Sequence, residues 1–133
     1  MSTAGVKPPI KDRLEACIAS GAVTKKYVAI SDGLDSNGNQ KAKISNSAGA
    51  VIPIGIIDHD ASDTHVADIQ TKGRATGISS AALATLYTQL SFTNAGKLKA
   101  AAAGEHIIGY NVSTCTAADE DVSIELSYAG IKA

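Results

Sequence analysis

Residues 104–130, GEHIIGYNVSTCTAADEDVSIELSYAG, hold two strand-like segments around a polar loop. Ile107 to Val112 is β-branched and aromatic. Further on, Val122, Ile124, Leu126 and Tyr128 alternate with Ser123, Glu125 and Ser127. A period of two places the four apolar side chains on one face of a strand and the polar ones on the other. Between the two segments, STCTAADED has the small and acidic composition of an exposed loop. The stretch therefore predicts an antiparallel hairpin with one buried face. Just upstream, NAGKLKAAAAG adds a turn and a further short strand.

The same order of parts occurs earlier. NGNQKAKISNSAG, AVIPIGIID, HDASDT and HVADIQTKG run in step with NAGKLKAAAAG, EHIIGYNV, STCTAADED and VSIELSYAG. Lys41-Ala42-Lys43 falls opposite Lys97-Leu98-Lys99, Gly49 opposite Gly104, and Gly55 opposite Gly109. Two copies are too few for a solenoid, which needs at least ~3. A pair of β units, 37–73 and 94–130, sharing one core is the reading that remains.

A chain of 133 residues suits one domain. Its apolar share is mostly Ala, Ile, Val and Leu; Trp is absent and aromatics are 4%. Large aromatic side chains contribute most burial per residue, so the core is expected to be modest, with partner contacts supplying part of the stability. Cys17 and Cys115 are too few for a disulfide framework. No apolar run approaches the ~18 residues of a membrane helix, and the first residues lack a signal-peptide core, so a soluble protein, intracellular when made, is expected. The net charge of −1 is uneven: residues 1–26 carry five basic and two acidic side chains, the rest seven and eleven. A basic leading arm on a mildly acidic body fits contact with an acidic surface, or ordinary scatter. Nucleic acid is a poor partner for this chain, because Arg13 and Arg74 are its only arginines and no aromatics interleave the basic residues.

Along the chain, residues 1–24 read as an arm. Pro8-Pro9 enforces extended geometry. Asp12 then resembles an N-cap with Glu15 completing a capping box, and Ile10, Leu14, Cys17 and Ile18 follow helical spacing up to Gly21. Two turns of helix are marginal alone, so this helix must pack on its own body or on a neighbour. Residues 25–133 read as the β-rich body, with a nearly continuous apolar run in AVIPIGIID, as in a strand covered on both faces. There Pro53 marks an edge or bulge. A second short helix, capped at Ser79 or Ser80, would align Leu83, Leu86, Tyr87 and Leu90. The expected fold is mainly β: a small β-barrel or β-sandwich built from two similar hairpin units, with one or two short helices and an N-terminal arm.

The chemistry is sparse. DHDASDTH carries Asp58, Asp60, Asp63 and His65, a weak metal-ligand candidate. An EF-hand loop needs Gly at position six and Glu at twelve, where this chain has Asp63 and Ile69. A solvated loop is the better reading. No GxSxG elbow, phosphate loop or cysteine beside a basic group is present. The expectation is a chain without catalytic residues, cofactor or metal.

TKGRATGISSAAL (71–83), then GKLKAAAAGEHIIGYNV (96–112), a small and acidic loop, and DVSIEL (121–126) resemble the capsid decoration, or cement, proteins of tailed bacteriophages. The resemblance spans roughly residues 25–130 and rests on structural glycines and strand patterns. It implies a structural protein on the outer surface of an assembled head, made in the host bacterial cytoplasm. There it would cement neighbouring major capsid subunits, with the major capsid protein as partner and further copies of itself beside it. Nucleic acid, membrane and cofactor are not implied. The arm residues Lys7, Pro8, Pro9, Ile10, Lys11, Arg13 and Leu14 are then the capsid-binding candidates. Two alternatives stand beside this reading. One is another virion part, such as a tail or fibre component; the other is a small β-fold carbohydrate- or metal-binding module.

Overall fold

The computed structural model describes residues 5–133; among them it has nine strands and no helix. The strands are β1 (Ile10–Ala19), β2 (Val28–Leu34), β3 (Gln40–Ile44), β4 (Pro53–Ile57), β5 (Val66–Ile78), β6 (Gln89–Phe92), β7 (Leu98–Ala100), β8 (Gly109–Asn111) and β9 (Asp121–Leu126). They hydrogen-bond in the order β1-β3-β2-β4-β5-β9-β8-β6-β7, and β1 also pairs with β5. That extra pairing closes the first five strands into a barrel, with β1 parallel to β3 and antiparallel to β5.

The order β3-β2-β4-β5 recurs as β7-β6-β8-β9, antiparallel at each step. The registers coincide. Ala29 pairs with Gly55 as Leu90 pairs with Gly109, and Ser31 with Ala42 as Phe92 with Leu98. Lys41-Ala42-Lys43 thus occupies the place of Lys97-Leu98-Lys99. Even the connections repeat: the Val23–Ala61 bridge becomes Leu83–Cys115, and the parallel pair Ala19–Ala42 becomes Ser79–Leu98. β5 is 13 residues long because it serves twice. Its first half completes the first barrel. From Gly73 to Ile78 it takes the part of β1 in a second barrel, pairing with β9. The two barrels share a strand.

Each barrel has its own interior. The first is filled by small residues, among them Ala19, Ala29, Ala42 and Ala67, around Ile57 and Ile69. The second uses larger ones, including Leu90, Phe92, Leu98 and Ile124. Val28, Ile30 and Ile56 of the first barrel join the second barrel's cluster, so the seam between barrels is apolar. β4 is consequently covered on both faces, and Pro53 sits beside a register shift in its pairing with β2.

The structure corrects four expectations. The N-terminal helix is strand β1: a two-turn helix would leave the edges of β3 and β5 unpaired, whereas the strand pairs from Ile10 opposite Arg74 to Ile18 opposite Val66. Cys17 and Ala19 point inward, while Ile10 and Leu14, assigned to a helical stripe, are exposed. The boundary drawn at residue 24 therefore falls between two strands of one barrel; residues 1–4 of the expected arm lie outside the described residues. Residues 79–88 form no helix either. Leu83 exchanges backbone hydrogen bonds with Cys115 (3.0 Å each), and Tyr87 adopts φ 61°, which no right-handed helix accommodates. Cys115, placed in an exposed loop, is buried by that exchange, so it and Cys17 are free thiols in the interiors of different barrels. Val122, Ile124 and Leu126 do face the core, but Tyr128 lies beyond the strand and is 48% exposed.

Candidate functional site

The leading segment does not hang free. Lys7 donates its N–H to Ser123 Oγ (2.8 Å), so the chain crosses β9 of the second barrel before entering the first as β1. Where it crosses the seam, Gln70 organises the backbone. Its buried side-chain amide donates to the carbonyls of Ile10 (3.0 Å), Lys72 (3.1 Å) and Arg74 (3.1 Å). The three carbonyls flank the register shifts of β1 and the positive-φ Gly73 within β5, and the amide's two hydrogens are shared among them.

Beside this crossing lies a cleft of about 160 Å³ at the junction of the barrels. Its floor is Ile56, Ile57 and Ala75, and three lysines stand around it: Lys11, Lys25 and Lys26. Lys11 Nζ pairs with Asp58 at 3.1 Å and Lys26 Nζ with Asp121 at 2.9 Å, the latter tying one barrel to the other. Lys25 is exposed. The arrangement offers ammonium donors on an apolar floor, suited to an acidic side chain presented by a partner. Sequence reasoning singled out Lys11 but missed Lys25 and Lys26. They are adjacent in the chain, and only barrel closure brings them to β1.

Of the capsid-binding candidates, Lys7, Pro8, Pro9, Ile10, Lys11 and Arg13 are all exposed, as is Leu14 to a lesser degree. They lie along one leading segment and strand rather than on a separate arm. Arg13 faces Glu15 at 3.6 Å, away from the lysine cleft.

The acidic loop's side chains serve the fold. Asp60 Oδ1 accepts the N–H of Lys25 (2.9 Å), Asp63 Oδ1 that of Gly21 (2.8 Å), and Asp58 is the partner of Lys11. His59 contacts the Asp60 carbonyl at 3.0 Å and Asp68 at 3.3 Å; that carbonyl and then that carboxylate raise its pKa above the ordinary histidine value. His65 is exposed and its carbonyl, not its ring, enters the barrel ladder. Among the described residues no three His, Cys, Asp or Glu side chains converge on a common point. Asp58, Asp60, Asp63 and His65 are not brought together.

No family model matches the chain, and no curated protein matches its sequence. Its fold is similar to that of the N base of the head fibre gp8.5 of bacteriophage phi29. The TM-score is 0.67 with 13% sequence identity, over 91% of this chain and 98% of that one. Likeness at this identity speaks to the fold.

Proposed function

We propose that this chain is a structural protein of a bacteriophage virion, attached to the outside of the head and acting by binding rather than catalysis. The observation that carries the reading is the fold likeness to a phage head-fibre base across nearly the whole of both chains. The sequence resemblance to capsid decoration proteins, over residues 25–130, suggests the outer surface of the head. The finer proposal is that it cements neighbouring major capsid subunits. A ligand that binds only the assembled shell stabilises that shell by mass action. The exposed leading segment and the lysine cleft supply a basic, partly apolar contact face for such a partner. The likeness to a fibre base favours a second reading, in which the chain is the footing of a head appendage and does not reinforce the shell.

Co-sedimentation with heads assembled without this chain tests the first step. Wild-type protein is expected to pellet with heads, and Lys7→Glu/Lys25→Glu to bind more weakly, most clearly at low salt where charge is least screened. Failure of the wild type to bind heads refutes the reading. Heating decorated and bare heads separates its two forms: a cement raises the temperature of shell rupture, and a footing leaves it unchanged.

A further inference from the structure

The duplication provides an internal reference for every position in the first barrel, and at one end the two barrels diverge in chemistry. In the second barrel that end is plugged by Phe92 and Leu126, with Ala75 beside them, all buried. Strand register places Ser31, Thr71 and Glu15 at the matching positions of the first barrel. The two plugs are replaced by hydroxyls and the alanine beside them by a carboxylate. The result is an open mouth of about 460 Å³, within the range of small-molecule sites, and the mouth of a β-barrel is a common place for one. Arg13 and Gln40 complete its polar lining, and Ile52, Pro53 and Ile54 form one apolar wall. Thr71 Oγ1 is buried with no hydrogen-bond partner among the described residues. A buried hydroxyl left without a partner costs stability, and a ligand hydroxyl entering the mouth would supply one after a small movement of the wall.

We propose that this mouth is a binding site for a neutral saccharide unit. Arg13, Glu15 and Gln40 carry planar groups able to engage two neighbouring hydroxyls at once, and Ser31 and Thr71 add donors and acceptors of either sense. Arg13 and Glu15 already face each other at 3.6 Å. With an acid and a base side by side the mouth carries little net charge, and a polyhydroxy ligand adds hydrogen bonds to both members. The aliphatic wall matches the C–H face of a sugar ring. The site lies on a different side of β1 from the lysine cleft, shares none of its lining residues, and does not depend on the virion reading.

The test is a titration of the full-length, nitrogen-15-labelled chain with glucose, galactose and N-acetylglucosamine, with glutamate as the ionic comparator. At least one sugar is expected to move the amide resonances of residues 13, 15, 31, 40 and 71 in a saturating manner. Gln40→Ala, on the rim, is expected to weaken that binding about five- to tenfold, as for one lost hydrogen bond. Ser31→Phe/Thr71→Leu installs the second barrel's plug; it should remove binding while the remaining spectrum is retained. The proposal is overturned if no sugar moves those resonances, if glutamate alone does, or if Gln40→Ala and the plugged variant both bind as wild type.

Discussion

Gly55 and Gly109 show how one residue type decides the approach of two strands. A Cβ on Gly55 would run into the carbonyl oxygen of Gln70, and one on Gly109 into that of Glu125, both backbone atoms of the neighbouring strand. Neither obstacle can swing aside, so the position admits no side chain. Gly109→Ala is expected to abolish or grossly destabilise the second barrel, read as loss of the cooperative melt by circular dichroism. A wild-type melt would disprove the close approach. The sequence paired these two glycines through the repeat, but only the register explains why they are glycine. His59 makes a different kind of residue-level forecast. Its folded pKa is raised, so its contribution to stability is full below the unfolded value of about 6.5 and is lost as pH rises through the folded value. Stability relative to His59→Gln should therefore fall across that window on going from acid to neutral pH, and the ring's proton resonances should titrate above about 6.5. Titration at or below that value, or a difference independent of pH, excludes the contact with Asp60 and Asp68. The ring is largely exposed, so the effect is small.

At the level of elements, the alternation in β9 was legible and the nature of β1 was not. Val122, Ile124 and Leu126 share one buried side because β9 lines a barrel interior, and a period of two is visible in any strand with one apolar face. β1 hides its period. Arg13 and Glu15 point toward the open mouth, Ile10 and Leu14 are exposed, and only Cys17 and Ala19 enter the core. The apolar residues consequently fall at helical spacing by coincidence, and Asp12 with Glu15 imitates a cap. Pairing with β5 over most of its length, and with β3 at Ile18 and Ala19, overrides that local signal. The loss of residues 1–21 is accordingly expected to open the first barrel rather than trim an arm. Two unpaired edges would then face solvent, a template for aggregation. The truncated chain should be insoluble, or should lose the dispersed amide resonances of β2, β3 and β4. A soluble truncation product with those resonances intact rules out β1 as a structural strand.

The whole molecule is a duplication joined by a strand that neither half can give up. Residues 66–74 pair with β1 and residues 73–78 with β9, with Gly73 and Arg74 common to both and no linker between them, and the seam is closed by Val28, Ile30 and Ile56 and by the Lys26–Asp121 pair. Domains separated by a flexible linker unfold independently; barrels sharing a strand and an apolar seam should unfold together. Leu90→Ala discriminates between the two. Leu90 is fully buried in the second barrel, and truncating a buried leucine costs about 2–5 kcal/mol through lost burial and residual cavity. The register match to Ala29 shows that the position tolerates alanine geometrically when its surroundings are smaller. The variant should therefore fold, but with less stability. Under native conditions, hydrogen exchange of the slowest amides in β2 and β4 of the first barrel should accelerate by the same free energy as those of β9. If exchange accelerates in β6, β8 and β9 while β2 and β4 keep wild-type protection, the barrels are separate cooperative units and the shared strand frays at Gly73.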